Sequence, residues 1–351
     1  MKTAMRQIGF YDEEDRLEKL SKLGDSLEKL NRIIDWEMFR PEISEVFRKE
    51  AKGAGGRPAF DHIMMFKILV LQRVYNLSDD QTEYQINDRI SFMRFLGLSI
   101  SDRIPDAKTI WLFRDTLVKA NVIKKLFDKF TNKLDEEHII TRTGSILDAT
   151  FIEAPIQRNH GDEEKQVRKG EIPEEWKKPE NKNKLRQKDI DAKHTRKGNK
   201  SYYGYKNHIK ADADSKLIIN YSTSEASMHD SQKAGALIDN REQAVYGDSA
   251  YIGPYVQSCI PEGCKNMIHK RGTKYKALSE EEKLNNHIKS KTRCRIEHIF
   301  GFMTQVFHGL TVRSIGIRRA DFNIGLTNLT YNLYRYEFLR RESSRRFLST
   351  P

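Results

Sequence analysis

Asp148, Asp248 and Glu297 stand far apart in the chain, each in a setting that suits a metal ligand. Asp148 lies in Ser145-Ile-Leu-Asp-Ala-Thr-Phe-Ile-Glu153, Asp248 in Val245-Tyr-Gly-Asp-Ser-Ala-Tyr251, and Glu297 in Arg293-Cys-Arg-Ile-Glu-His-Ile-Phe-Gly301. The first two sit in or at the end of apolar, strand-like runs, where Asp is disfavoured. A carboxylate buried there is costly unless it is paired or holds a metal. Two buried Asp and one helix Glu form a hard oxygen site of the kind Mg²⁺ takes. If they converge, they make a two-metal phosphoryl-transfer centre acting on nucleic acid. Plainer readings are a strand-edge cap for Asp148 and turn chemistry for Gly247-Asp-Ser249. For Glu297 the plain reading is a surface pair with Arg293 at i,i+4, worth about 0.3–0.5 kcal/mol. The apolar neighbours Ile146, Leu147 and Phe151 favour burial of Asp148, and Ile296, Ile299 and Phe300 pack the Glu297 helix down.

Something must bring the three together, and the pattern from Ser145 onward supplies it. Residues 145–153 alternate as a strand. Tyr202–Ala211 and Lys216–Ser222 form two more, around the turn Asp212-Ala-Asp-Ser215. A helix from His229 to about Asn240 follows, with His229 as part of its cap. Then come a strand at 243–247, a short helix at 254–259, a strand at 265–269, a long helix over roughly 279–307 and a last helix near 319–340. The order β, β, β, α, β, α, β, α is that of a ribonuclease H-like α/β core, a mixed sheet with flanking helices. It puts the first and fourth strands side by side, with Glu297 leaning over both. Glu153 has the opposite strand parity to Asp148 and is not counted as a ligand.

Residues 157–200 interrupt this core with 14 basic and 9 acidic side chains and few large apolar ones. A loop-like insertion without order of its own is expected, either a solvated loop or a DNA-contacting flap in which Trp176 stacks on a base. On the second strand, Lys206 and His208 are candidates for phosphate contact, with a solvated strand face as the alternative.

Before Ser145 the chain reads as all-α. Residues 12–50 form charged amphipathic helices and Gly53–Pro58 a flexible break. Residues 61–76 form a buried helix capped by Asp61. Ser78-Asp-Asp-Gln81 has capping-box spacing, and Asp106 caps another helix. We therefore expect two domains, a helical one at 1–140 and a catalytic one at 141–345. Lys108, Arg114 and Lys119 are the candidates for DNA recognition in the first, with helical packing or dimerisation as the alternative.

The net charge is +12, which suits a polyanionic partner. Residues 1–60 hold 12 basic and 12 acidic side chains and 61–147 hold 13 and 12, so +11 lies at 148–351, beside the carboxylates. A basic surround admits DNA to an acidic site. The three cysteines, Cys259, Cys264 and Cys294, include no CxxC pair, which argues against a disulfide framework and against zinc. With no apolar signal region and no run of 18 apolar residues, a cytoplasmic, nucleoid-associated protein is expected, with no membrane partner.

In order along the chain, Leu147-Asp-Ala-Thr150, Asp191-Ala192, Tyr203-Gly-Tyr-Lys-Asn-His208, His229-Asp230, Tyr246-Gly-Asp-Ser-Ala-Tyr251 and Arg293-Cys-Arg-Ile-Glu-His-Ile-Phe-Gly301 resemble the catalytic blocks of DDE-type insertion-sequence transposases, in the IS-five branch. Residues from Gly56-Arg-Pro58 to Leu117 resemble that branch's helical N-terminal domain. The resemblance implies a catalytic triad of Asp148, Asp248 and Glu297 on two Mg²⁺ ions, for which Mn²⁺ can substitute. Asp148 would bridge them, with Asp248 and Glu297 each completing one. It also implies Arg293 as the arginine four residues before the Glu, either a phosphate clamp or a structural ion pair. The implied partners are double-stranded DNA, as terminal inverted repeats and target, in a homodimeric synaptic complex. The related signature's Tyr and Lys fall on Ser290 and Thr304 here, a departure that removes two DNA-end contacts. The alternatives are a nuclease of the same fold without strand transfer and a DNA-binding protein that has lost activity.

Overall fold

A computed structural model describes residues 11–48, 58–157, 159–273 and 275–348. The expected Gly53–Pro58 break lies, apart from Pro58, outside the described residues. Contacts divide the chain into two units, one running to Thr116 and resuming at Arg340, the other Leu117–Leu339.

The first unit is helical: α1 (Asp12–Leu23), α2 (Ser26–Ile33), α3 (Arg40–Phe47), α4 (His62–Tyr75), α5 (Asp79–Asp88), α6 (Ile90–Leu96) and most of α7 (Ala107–Lys119). The all-round apolar sequence of α4 has the expected consequence, burial of every residue from Ile63 to Val74 except Lys67. Asp61 caps it, accepting from the amides of Ile63 and Met64 at 2.9 Å each. Trp36 meets Phe66 and Phe95 edge-on in the same core. The capping box of Ser78 and Gln81 opens α5 as expected.

The second unit begins with α8 (Ile123–Glu136), so the sequence boundary at 140 falls after a helix that packs against the sheet of this unit. Next come β1 (Ser145–Glu153), α9 (Gly161–Arg168), α10 (Glu174–Lys177), α11 (Lys182–Arg186), β2 (Lys193–Lys197), β3 (Lys200–Asp212) and β4 (Ile218–Glu225). They are followed by α12 (Ala234–Leu237), β5 (Ala244–Gly247), α13 (Pro254–Cys259), β6 (Lys265–Ile268), α14 (Glu280–Arg293), α15 (Arg295–Val306) and α16 (Ile317–Leu348). The sheet runs β2-β3-β1-β5-β6, with β4 also on β3. β3 is long enough to share one edge between two partners. Residues 200–204 pair with β2 and 205–211 with β4. β1 is antiparallel to β3 and parallel to β5.

Alternation along β1 and β3 gives the sheet two unlike faces. Residues directly opposite share a face, so Leu147, Ala149 and Phe151 lie with Lys210, His208 and Lys206. This back face carries the cluster of Leu147, Val245, Tyr251, Val256 and Ile268, closed by Ala234 and Leu237 of α12. Asp148 and Thr150 lie with Ile209 and Asn207 on the front face. There α16 docks through paired amides, Asn207 with Asn328 at 2.7 and 3.1 Å. Asn332 of α16 bonds both the amide and the carbonyl of Ile218 on β4.

Two expectations are corrected. The 157–200 insertion is not loop-like. It folds into three short helices and β2, an edge strand of the sheet. Its centre is Trp176, fully buried, its indole N–H donating to Glu163 at 2.7 Å and its ring flanked by the ammonium groups of Lys184 and Lys188. The long helix of 279–307 is broken at Cys294, where the Glu297 amide turns to the Cys294 carbonyl at 3.0 Å.

Candidate functional site

Asp148 sits mid-strand on β1, in a nine-residue ladder with β3 that fixes its direction onto the front face. On the other side β1 and β5 are in parallel register, Ser145 with Val245 and Ile146 with Tyr246. Two residues further on, Asp148 is level with Asp248, just past the end of β5. Asp248 leaves the strand as a cap. Its carboxylate accepts from the Ala250 amide at 2.9 Å and starts the turn Ser249–Tyr251. Sequence order alone could suggest this adjacency; the register gives it.

Burial pushes the Asp148 carboxyl up to about 6. The Ala149 amide, at 2.8 Å, opposes that shift. The nearby Asp248 charge adds to it, while Arg293 and Lys197 offset it. A carboxylate raised by burial and by a second carboxylate is short of positive charge, and a divalent cation between the two would supply it.

Glu297 lies differently. The helix break puts Arg293 in the last turn of α14 and Glu297 in the first turn of α15, whose Ile296, Ile299 and Met303 are buried. The Arg293 guanidinium donates to Glu297 at 2.9 Å and stands 3.7 Å from Asp148. The Glu297 side chain is 61% exposed. Arg293 therefore lies between the two acids. Among the described residues no three His, Cys, Asp or Glu side chains are grouped closely enough to hold a metal. The structure thus sets Asp148 and Asp248 level on neighbouring strands and links Glu297 to Asp148 through an arginine.

Several expected DNA contacts are corrected by burial. Lys206 is buried on the back face, donating to the Met228 carbonyl at 2.7 Å and to Asp230 at 2.9 Å. His208 is fully buried against Ser224, and burial pushes its imidazole down to about 4, so it is neutral. Trp176 has no face open to a base. Arg114 is forked onto Asp79 at 2.7 Å per bond, a packing role. Lys108 and Lys119 are exposed on α7 and share a helix face with the exposed Trp111 and Leu112. The expected cap at His229 is present. Glu153 faces away from Asp148 and pairs with Lys200 at 3.7 Å. Ser290 meets His269 at 3.3 Å, and Thr304 bonds its own helix at Phe300.

Sequence reasoning missed Lys210. It is fully buried and ion-paired to Asp239 at 2.9 Å and to Glu242 at 2.6 Å. Its strand parity with Lys206 and His208 was the available signal. Tyr251 is also buried, three residues after Asp248, and its hydroxyl has no hydrogen-bond partner among the described residues.

A mixed sheet with parallel β1 and β5 at its centre, flanked by helices, defines a ribonuclease H-like fold. The chain belongs to the transposase DDE domain family, whose model matches residues 140–333, and a transposase domain model (DUF772) matches 15–116. It is a DNA transposase, acting on DNA with divalent metal ions as the family does. No helix among the described residues is long and apolar enough to cross a membrane. A piggyBac transposase synaptic complex with hairpin DNA is similar to it, with a TM-score of 0.42 and 14% identity over 91% of this chain and 74% of that one.

Proposed function

We propose that the chain binds the terminal inverted repeats of its own insertion sequence, cleaves the ends and joins them to target DNA, with Asp148, Asp248 and Glu297 as its catalytic residues. The observation that carries this is the Asp148 and Asp248 pair on adjacent parallel strands, with Arg293 tying Asp148 to Glu297. Magnesium fits the all-oxygen donor set. Two bound Mg²⁺ ions would supply an activated nucleophile and neutralise charge on the leaving oxygen. The chain's own part is positional. β1 fixes Asp148, the cap at the end of β5 fixes Asp248, and α15 carries Glu297, paired to the arginine that also stands 3.7 Å from Asp148. Release of Glu297 from Arg293 completes the ligand set and frees the guanidinium for a phosphate oxygen. We further propose membership of the IS-five branch, action in the cytoplasm and a homodimeric synaptic complex. The helical stretch before residue 140 would serve terminal-repeat binding or dimerisation, with Lys108 and Lys119 facing DNA.

Asp148→Asn, Asp248→Asn and Glu297→Gln are each expected to abolish Mg²⁺-dependent cleavage of an end-bearing duplex, with binding of that duplex kept within about threefold. Cleavage at the wild-type rate by any one of them overturns its assignment.

A further inference from the structure

Beside the carboxylates, a pocket of about 480 Å³ opens between the turn after Asp248, β6, the following loop and α14. That volume lies within the roughly 300–1,000 Å³ of small-ligand clefts and is far too small for a duplex. Its lining includes Lys270, Arg271, Lys276 and Lys289 against one carboxylate, Glu282. Glu282 is already engaged, by Lys270 at 3.1 Å and by the cap at Ser279. Burial pushes the Lys289 ammonium down, and the charge of Lys270 pushes it further. An anion between the two reverses the second effect. Arg271 is exposed, and its side chain has no hydrogen-bonding or ionic partner among the described residues.

The rest of the wall is mixed, with the apolar Ile252, Ile268, Ala277 and Leu278 beside the polar Gln257, Asn266 and Thr273. The lining thus offers cations to a phosphate, and apolar and hydrogen-bonding groups to a sugar or base. The pocket also adjoins the candidate site. Tyr251, in its wall, follows Asp248 by three residues. His269, also in its wall, is pushed down by burial and then by Arg293, and up by Asp248.

We propose that this pocket holds one unpaired, phosphate-bearing nucleotide at the end of the DNA being processed. This rests on the reading of the chain as a protein that grips DNA ends at Asp148 and Asp248. The phosphate lies against Lys270, Lys289 and Arg271, and the base and sugar against the remaining lining of Ile252, Ile268, Leu278, Gln257 and Asn266.

The test is metal-free. Fluorescence anisotropy in EDTA compares a labelled blunt duplex with the same duplex carrying a short single-stranded tail, each titrated with the full chain. The wild type binds the tailed duplex more tightly. Arg271→Ala and Lys289→Ala each weaken tailed binding roughly tenfold, the size of one charge-assisted hydrogen bond, and leave blunt binding within about twofold. Circular dichroism checks that both variants fold; Arg271, being exposed, is the safer of the two. Equal wild-type affinity for the two duplexes overturns the proposal, as does an equal loss on both duplexes in the variants. Asp148→Asn separates this from the catalytic reading. It loses cleavage but keeps the tail preference. A wild type that prefers the tail but cleaves nothing with Mg²⁺ sinks the catalytic reading and leaves the pocket standing. Cleavage without tail preference does the reverse.

Discussion

The two faces of the β1 and β3 strand pair carry charge in opposite ways, although their residues alternate one by one in the sequence. On the back, Lys206 and Lys210 are sunk below the surface and each meets carboxylates at 2.6–2.9 Å. On the front, Asp148 is raised by burial and by Asp248, with Arg293 no nearer than 3.7 Å. Around Lys206 and Lys210 the back face is balanced; around Asp148 the front face is not. A structural ion cluster satisfies its charges within the chain, whereas a site that awaits a ligand leaves one kind of charge in excess.

The strongest way to break this comparison is to unbalance the back. Lys210→Met leaves the buried Glu242 without its cation, while Asp239 keeps Arg241, and is expected to destabilise the fold by about 3–5 kcal/mol, the usual cost of breaking a buried pair. Urea unfolding measures it, and cleavage per folded molecule stays at the wild-type level. An unchanged midpoint would mean that the cluster contributes nothing.

On the front, removing charge does the opposite. Because the Asp148 value is raised above the usual carboxylate range, its ionisation opposes folding. That penalty is absent below about pH 4, grows as pH rises toward about 6 and is complete above it. Asp148→Asn is therefore expected to raise the metal-free melting temperature at pH 7.5, by about 2–4 °C per kcal/mol relieved, and to change little at pH 4. A uniform shift at both pH values would remove the link to ionisation. Cleavage at limiting Mg²⁺ should fall about tenfold per unit below pH 6, with the midpoint moving lower as Mg²⁺ is raised. The smallest effect belongs to exposed lysines outside both faces. Lys108→Ala or Lys119→Ala should each reduce the salt slope of DNA binding by about one, and slopes equal to wild type would leave α7 to packing.

How far the sequence could be read follows from how local each cause is. The caps at Asp61 and Ser78 depend on neighbours three or four residues away, and both stand where expected. The strand order, and with it the meeting of Asp148 and Asp248, follows from alternation and turn chemistry. Which face Lys206 and His208 join depends on their register with Phe151 and Ala149, over fifty residues distant, and on Asp230 folding across them. No spacing rule encodes that. The insertion misled through composition: most of its charges are surface helix faces, and among its few apolar residues Trp176 and Val167 are buried. The break at Cys294 carries neither Gly nor Pro to announce it.

The sealed indole of Trp176 gives the insertion an optical signature. Of the three tryptophans, Trp36 and Trp176 are buried in different units and Trp111 is 47% exposed. In a chain keeping only Trp176, emission wavelength and quenching by iodide would follow the opening of this one segment, as a gauge of whether it loosens when DNA arrives.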